Sequence, residues 1–459
     1  MSKLNFAIAP AVEATEAPPI PRAQAWGREY VSTSSNASTA ELLDLSQGVP
    51  RSAPHPDVLT SLAKTSSDPA TARYGPILGE PTLRSAVAKE INIQYGIDDH
   101  EGGVQADDIA ITTGCNMAFL TLLMVLCPPG KSSILLPLPA YFNQSMCLSL
   151  QSVKPVYIPC DPQNKFKASL ESARSFLASK LGNTDTTNGD NDGILPRMIC
   201  LTSPNNPTGA VYDHDEIKKW YELAKEYKVA LVLDETYRDF VEGEDGESRG
   251  VPHRLFEEKD WRENLVCLGS FSKGYRIPGH RLGSIIASPA LLKHLTTICD
   301  CMQICAPRPP QLALAPLLPD LRSDLLSASR QLSHRRHLFT ETVNSVPGWS
   351  VISTGGYFAY VQFPSDYQYA SSVLGLKRKK LGSEDVAKVL ATKVGVVTLP
   401  GSFFMPNLKD DEAWDEVVGG DEIKEDKWLR FAVANVEDEV VLKLGPRLRE
   451  MNKLMGMEE

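Results

Sequence analysis

Between residues 109 and 288, short apolar runs alternate with longer segments in which apolar residues recur at helical spacing. Short apolar runs bounded by turn residues predict strands, and strands that alternate with helices predict a mostly parallel sheet covered on both faces. We predict seven strands here, at residues 109–113, 133–136, 156–159, 198–202, 230–233, 266–268 and 284–287.

One intervening helix is marked by its own start signal. Asp213 and Glu216 have the spacing of a capping box, in which each residue satisfies a backbone N–H of the other. Ile217, Tyr221 and Ala224 then recur on one helical face. This segment supports the alternation of strands and helices.

The pattern changes after Pro307, where several prolines precede a long helical stretch at residues 324–346. A strand, a helix, a strand and a final helix from Glu437 are predicted beyond it. This order indicates a smaller C-terminal domain. Two polar inserts, residues 182–193 and 405–427, are predicted surface loops.

Composition narrows the class of function. The 459-residue chain has a formal net charge of −10, which argues against a nucleic-acid partner and favours a small metabolite. Its nine cysteines lack the density of a disulfide framework, and Cys115, Cys147, Cys200 and Cys267 lie in apolar stretches that predict burial. With no leader-like start and no apolar run of membrane length, we expect a cytoplasmic protein without membrane contact.

Lys273 carries the strongest chemical signal. It lies in residues 270–281 (SFSKGYRIPGHR), among hydroxyl groups, glycines and arginines. A lysine that forms a Schiff base needs its pKa lowered by burial or nearby positive charge, and Arg276 and Arg281 are close along the chain. This arrangement predicts covalent binding of a phosphorylated aldehyde, pyridoxal 5′-phosphate (PLP). An isolated S-x-S-K match would instead be a solvated loop lysine.

Two further motifs, residues 203–209 (SPNNPTG) and 234–237 (DETY), complete a signature that resembles the class I/II aminotransferases, the fold-type I PLP enzymes. The resemblance implies an α/β fold with a large PLP-binding domain at 66–310, built on a mostly parallel seven-stranded sheet between helices. A smaller α+β domain would combine residues 1–65, which include an N-terminal arm, with residues 311–459. It also implies a homodimer with shared active sites.

A phosphate group binds well to backbone N–H groups at a helix start, hydroxyl donors and a guanidinium. The candidate phosphate ligands are Gly114, Cys115, Asn116, Ser270, Ser272 and Arg281. The family usually has a serine or a small residue where Cys115 stands. The resemblance adds Tyr74, donated to the phosphate by the partner subunit.

The cofactor ring has four further candidates. Asp234 ends a predicted strand, where a carboxylate can keep the pyridine nitrogen protonated, although an Asp there is often only a turn cap. By resemblance, Tyr237 and Asn206 bind the phenolic oxygen and Tyr141 stacks on the ring. Either tyrosine would otherwise be an ordinary core or interface aromatic.

Arg430 lies in an apolar predicted strand, where an inward guanidinium needs an anion. A bidentate grip on a substrate carboxylate supplies one. The other interpretation, an edge-strand arginine facing solvent, is disfavoured by the resemblance. Gly48 and Asn206 are also predicted to bind substrate by resemblance, Gly48 through its backbone.

The sequence therefore predicts a PLP-dependent aminotransferase that moves an amino group between an L-amino acid and a 2-oxo acid, with Lys273, Asp234 and Tyr237 catalytic. Aromatic or aliphatic amino acids are favoured, because Gln303 stands where dicarboxylate-specific members carry a partner-chain arginine. The nearby Arg308 keeps an acidic substrate open. The alternative is a PLP-dependent C–S lyase, or a lyase like 1-aminocyclopropane-1-carboxylate synthase, of the same fold.

We predict no metal site. Cys299, Cys301 and Cys305 cluster in a predicted helix, but they lack a partner His or a CxxC pair. Packing in the core is the favoured interpretation of these three cysteines.

Overall fold

A computed structural model of the chain describes residues 5–33, 41–97, 102–182, 193–243, 245–246, 248–367, 375, 381–406 and 425–457. Most of the two predicted surface loops, at 183–192 and 407–424, lies outside the described residues. Within the described ranges, none of the helices has both the length and the apolar character needed to span a membrane.

The described strands are numbered in chain order. They are β1 (Leu43–Asp44), β2 (Ile109–Thr112), β3 (Ser132–Leu138), β4 (Lys154–Asp161), β5 (Lys167–Ala168), β6 (Leu195–Thr202), β7 (Ala230–Asp234), β8 (Leu265–Ser270), β9 (Gly283–Ile286), β10 (Ser350–Gly355), β11 (Phe358–Gln362), β12 (Val396–Val397), β13 (Leu399–Pro400) and β14 (Trp428–Ala432).

The described α-helices are numbered in the same way. They are α1 (Pro10–Ala14), α2 (Ile20–Thr33), α3 (Pro56–Ser67), α4 (Pro81–Tyr95), α5 (Cys115–Leu126), α6 (Phe142–Leu150), α7 (Leu170–Leu181), α8 (His214–Glu226), α9 (Trp261–Asn264), α10 (Pro289–Gln303), α11 (Arg308–Leu314), α12 (Arg322–Asn344), α13 (Ser383–Val389) and α14 (Asp438–Leu454).

The large sheet has the strand order β2-β9-β8-β7-β6-β3-β4-β5. All seven predicted strands are confirmed, and the pairs from β8 to β4 are parallel. The two-residue β5 is too short to give a sequence pattern. Side chains alternate between two cores, with Leu231 and Leu233 on one face of the sheet and Val232 on the other. Helices covering both faces explain why these strands are apolar throughout.

The direction of the strands brings the sequence motifs together. Strand β9 is antiparallel to both β8 and β2, so β2 runs in the same direction as the parallel strands. The carboxyl ends of these strands therefore meet at one edge of the sheet, where ligands of open α/β sheets bind. The segments at that edge are 113–116, 139–141, 203–206, 234–237 and 270–273. Arg281 reaches the same edge because it precedes the reversed strand β9.

A second, antiparallel sheet has the order β10-β11-β14-β13, and β1 pairs with β12 beside it. Its core combines N-terminal residues such as Trp26 and Leu45 with Phe339 and Phe431 from the C-terminal part. The predicted helix at 324–346 is confirmed as α12, and the final helix is α14, with Glu437 as its N-cap.

The boundaries of the two domains stay a prediction. The packing crosses these boundaries: Val58 and Leu62 of α3 lie in one core with Leu314 and with strands of the large sheet. Residues on both sides of the predicted boundaries at 65/66 and 310/311 thus share one core.

The predicted capping box of α8 is confirmed. The Glu216 N–H donates to Asp213 Oδ1 at 2.8 Å, and the Asp213 N–H donates to Glu216 Oε2 at 2.8 Å. Ile217, Tyr221 and Ala224 are buried on the inner face of the helix. Local signals thus fix where this helix begins.

Gly209 is where the loop after β6 approaches the small sheet. Its φ is +73°, and an added Cβ would lie 2.5 Å from the backbone nitrogen of Gly355. Gly96 has a similar φ of +67° but nothing within 4 Å of an added Cβ. Both changes to alanine carry the left-handed backbone penalty of roughly 1–2 kcal/mol, and only Gly209 adds a backbone clash.

We therefore expect Gly209→Ala to lower the thermal unfolding midpoint clearly more than Gly96→Ala does. Differential scanning fluorimetry of the two variants checks this difference. Equal midpoints would contradict the close approach of residues 209 and 355.

Candidate active site

A cavity opens at the carboxyl edge of the large sheet. The predicted residues that line it are Cys115, Asn116, Tyr141, Asn206, Asp234, Tyr237, Ser270, Ser272, Lys273 and Arg281. Gly48 and Arg430 contact members of this set, and Gly114 lies against Arg281. Tyr74 is 78% exposed, away from the cavity of its own chain.

Lys273 has an amine that donates a hydrogen bond to the Gly48 carbonyl at 2.6 Å. Burial, then the charges of Arg430 and Arg281, lowers the pKa of Lys273 to about 8. The sequence prediction of Arg276 as a cause of this shift is wrong, because Arg276 instead forms an ion pair with Asp324 at 2.5 Å. Arg430, which is distant in sequence, is the arginine whose charge lowers this pKa most.

Arg430 is buried in β14 between the rings of Phe358 and Phe404, whose centroids lie 4.7 and 5.0 Å from the guanidinium carbon. It donates to Asn206 Oδ1 at 3.1 Å and to the Ser46 carbonyl. Its Nε has no hydrogen-bond partner among the described residues. Burial lowers the pKa of Arg430 to about 10. A buried guanidinium with an unused donor fits an anionic ligand.

The start of α5 and Arg281 form a cradle for an anion. Gly114, the N-cap of α5, has φ +83°, and an added Cβ would lie 2.3 Å from Arg281 Nη2. Only glycine therefore lets the guanidinium approach the helix start, where backbone N–H groups and the helix dipole favour negative charge. Ser270 and Ser272 add hydroxyl groups, and the Ser272 N–H donates to Ser270 Oγ at 3.2 Å.

Asp234 is held by several donors. Its Oδ1 accepts from the Thr236 N–H at 3.1 Å and the Thr236 hydroxyl at 2.7 Å, and lies 3.8 Å from Cys115 Sγ. Its Oδ2 accepts from Gln144 Nε2 at 3.3 Å. Burial raises the pKa of Asp234, and the hydrogen bonds from Thr236 oppose that shift. Uncharged donors thus position this carboxylate.

Sequence reasoning missed Gln144 and Thr236, which also line the cavity. Signals for both were available, since Thr236 lies inside the DETY motif and Gln144 follows Tyr141 by about one helical turn. Cys200 and Cys267 are buried as predicted, but Cys115 and Cys147 are only half-buried. The prediction of burial was wrong for these two because they face the cavity.

The aromatic residues enclose the cavity. The Tyr237 ring packs 5.2 Å from both Tyr357 and Phe358, and burial raises its pKa well above the usual value, so its hydroxyl keeps its proton. Burial raises the pKa of Tyr141 to about 12. An added Cβ on Gly48 would lie 2.5 Å from the Phe358 ring, so no side chain fits there.

Behind Asp234, the structure brings together Glu235, His253 and Cys267, a group that no motif signals. The Tyr95 hydroxyl donates to Glu235 Oε1 at 2.7 Å, and His253 Nε2 lies 3.3 Å from the same oxygen. Because His253 Nδ1 accepts the Leu255 N–H at 3.1 Å, the ring proton is on Nε2, facing the carboxylate. A buried hydrogen-bond network therefore explains why these three side chains lie together.

The cysteine cluster also differs from its prediction. Helix α10 ends at Gln303, so Cys305 lies outside it, and Cys301 is exposed; only Cys299 packs in the core.

The residues of the cavity fit pyridoxal phosphate. They offer an anion cradle, a buried carboxylate, aromatic walls and one amine whose pKa is lowered. The sequence model of the family described as aminotransferase class I and II matches residues 40–447. The chain belongs to this family of PLP-dependent transaminases.

Known proteins with similar sequences or structures are also named aminotransferases. An aspartate aminotransferase of Sulfurisphaera tokodaii is 27% identical over 366 residues, which cover 79% of this chain and 82% of the relative. An aromatic-amino-acid aminotransferase of Thermococcus litoralis is 25% identical over 352 residues, covering 76% and 80%. The solved structure of a double mutant of Thermus thermophilus aspartate aminotransferase superposes with a TM-score of 0.76 at 18% identity, covering 97% and 100%, and so shares the fold.

The shifted pKa of Lys273 can be tested directly. Arg430→Met removes the charge that lowers this pKa most after burial, so we expect the pKa to rise from about 8 towards the usual 10.5. The neutral amine is the reactive form. The midpoint of a plot of Lys273 modification rate against pH, measured by mass spectrometry on cofactor-free protein, should therefore move to higher pH.

Arg276→Met is the matched control, since it removes a guanidinium that Asp324 already neutralises. It should move the midpoint much less. An unchanged midpoint in Arg430→Met would contradict the account of the lysine.

Proposed function

We propose that this chain transfers an amino group between an L-amino acid and a 2-oxo acid, with pyridoxal phosphate bound at Lys273. The observation that carries the proposal is the half-buried amine of Lys273, which lines the cavity and donates to the Gly48 carbonyl at 2.6 Å. Burial, then the charges of Arg430 and Arg281, lowers its pKa to about 8. A lysine in that state is a nucleophile at neutral pH. Of the two guanidinium groups, Arg281 would then bind the cofactor phosphate and Arg430 the substrate carboxylate.

The proposed cofactor contacts follow the geometry of the cavity. Gly114, Cys115, Asn116, Ser270, Ser272 and Arg281 would hold the phosphate, together with Tyr74 of a partner subunit. Asp234 would pair with the pyridine nitrogen, Tyr141 would stack on the ring, and Tyr237 and Asn206 would donate to the phenolic oxygen. Bound in this way, the cofactor supplies an electron sink next to the substrate amine.

The proposed proton transfer uses Lys273 Nζ, which would take the proton from the substrate Cα as general base and deliver it to the cofactor carbon as general acid. Arg430 binds the substrate carboxylate with Asn206 beside it, and this contact fixes where the Cα lies. Gly48, whose carbonyl already accepts from Lys273 Nζ at 2.6 Å, closes this side of the cavity through its backbone. Asp234 and Tyr237 complete the proposed catalytic set.

Aromatic or aliphatic amino acids are the proposed donors. Arg308 donates to Glu80 Oε1 at 2.5 Å and to the Ala70 carbonyl at 2.8 Å, so its guanidinium is already occupied. Within one chain, the described lining of the cavity offers the cations Lys273 and Arg281, with Arg430 in contact with the lining residue Asn206, and each of the three already has a proposed role. Aspartate is the second candidate, because several relatives are named aspartate aminotransferases.

Transamination is favoured over a lyase reaction. The synthase-like alternative typically carries an acidic residue in the segment around Gly48, and the Phe358 ring leaves no space for a side chain at position 48. Product analysis separates the two, since release of ammonia or a thiol would support the lyase.

The assembly and the setting are also proposals. The 78% exposure of Tyr74 supports a homodimer in which each chain completes the site of its partner. The shared core of N-terminal and C-terminal residues supports a discontinuous small domain. The unpaired state of all nine cysteines, each in the described part of the chain, supports a reducing, cytoplasmic setting. The partners are small amino and oxo acids, with no nucleic acid or membrane.

The test is a visible absorption spectrum of the purified protein, recorded while single amino acids are added without any oxo acid. We expect a yellow band that phenylalanine or leucine bleaches at lower concentration than aspartate or glutamate does. Lys273→Ala should lack the lysine-bound band and lose at least about 10³-fold in turnover, because the proton carrier is gone. A protein that remains colourless with added pyridoxal phosphate would contradict the proposal.

A further inference from the structure

Gln303, the last residue of α10, holds the loop that leads into α5. Its Oε1 accepts from the Thr113 N–H at 2.9 Å and from the Thr113 hydroxyl at 3.0 Å. Its Nε2 donates to the Ile111 carbonyl at 3.3 Å. Thr113 directly precedes Gly114, the N-cap that faces Arg281. One amide side chain therefore fixes the backbone on which the anion cradle is built.

The chain turns sharply just after Gln303. Ile304 has φ +59° and ψ −62°, and the Cys305 N–H donates to the Gln303 carbonyl at 2.6 Å. This is a three-residue γ-turn of the strained type, which a β-branched residue adopts only where the surroundings enforce it. Gln303 itself is half-buried, whereas Ile304 at the turn is 42% exposed.

The far side of the turn has an anchor of its own. Cys305 Sγ accepts a hydrogen bond from the Gly75 N–H at 3.3 Å, next to the exposed Tyr74. The segment from Gln303 to Cys305 is thus tied to the loop before α5 on one side and to the Tyr74 loop on the other. Both loops supply proposed phosphate ligands.

We propose that Gln303 is a positioning residue for the phosphate-binding loop, acting through Thr113, and that its side chain is committed to this task instead of contacting substrate. The inference rests on the proposed function, since it assumes that the cradle binds the cofactor phosphate. Gln303 is not among the residues that line the cavity of its own chain. Its effect should therefore appear only with ligands that carry a phosphate.

The experiment compares two ligands on the full-length chain freed of cofactor. Pyridoxal phosphate and pyridoxal differ only in the phosphate, and both form the lysine-bound absorption band. We expect Gln303→Leu to weaken pyridoxal phosphate binding about tenfold, the scale of one or two lost hydrogen bonds. Pyridoxal binding should stay within about twofold of the wild type, because the amine and the ring contacts are intact.

Gln331→Leu is the matched control, because Gln331 is exposed on α12 and its side chain donates to Ser327 Oγ, four residues away on the same helix, at 3.2 Å. It should leave both affinities unchanged. The thermal midpoints of the cofactor-free variants show whether Gln303→Leu folds. A variant too unstable to titrate is replaced by Thr113→Val, which removes the hydroxyl donor to Gln303 and should lower phosphate-dependent binding by about threefold.

The outcomes are distinguishable. A wild-type protein that binds neither ligand overturns the proposed function itself. A wild type that prefers pyridoxal phosphate, with Gln303→Leu unchanged for both ligands, overturns the inference alone. Equal losses for both ligands would show that Gln303 supports the whole cavity and would also overturn it.

Discussion

The site is organised by three cationic groups at one cleft, of which Arg430 is buried, Lys273 is half-buried and Arg281 is exposed. Lys273, Arg281 and Arg430 donate, among the described residues, to backbone carbonyls and to one amide oxygen. Removing a cation from water costs on the order of several kcal/mol, which neutral acceptors do not fully recover. The arrangement is therefore suited to anionic ligands, and the proposed cofactor phosphate and substrate carboxylate would supply the missing charge. Burial and the positive charges of Arg430 and Arg281 also lower the pKa of Lys273.

The fold produces this concentration of charge through strand direction. The parallel strands deliver Asp234 and Lys273 to one edge, and the reversed strand β9 returns Arg281 to the same edge. Arg430 comes from the second sheet, and its contact with Asn206 joins the two sheets across 224 residues of sequence. The residues proposed as base, phosphate ligand and carboxylate ligand thus come from different elements that converge at one cavity.

Much of this could be predicted from the sequence because the informative signals are local. Buried parallel strands are continuous apolar runs, and Lys273, Asp234 and Asn206 lie in short motifs at strand ends. The missed features depend on contacts between distant segments. Gln144 reaches Asp234 across 90 residues, and Gln303 reaches Thr113 across 190. Arg276 is near Lys273 in sequence, but in the fold it pairs with Asp324, and Arg430 is the guanidinium that lowers the pKa of Lys273 most.

The central claim is that the amine of Lys273, among these cations, is the covalent anchor of the cofactor. The most direct measurement is borohydride reduction of the protein with bound pyridoxal phosphate, followed by peptide mass spectrometry. The account predicts that the peptide containing Lys273 carries the reduced cofactor in near-stoichiometric amount and that other lysines carry little. A cofactor attached mainly to another lysine, or no adduct at all, would contradict it.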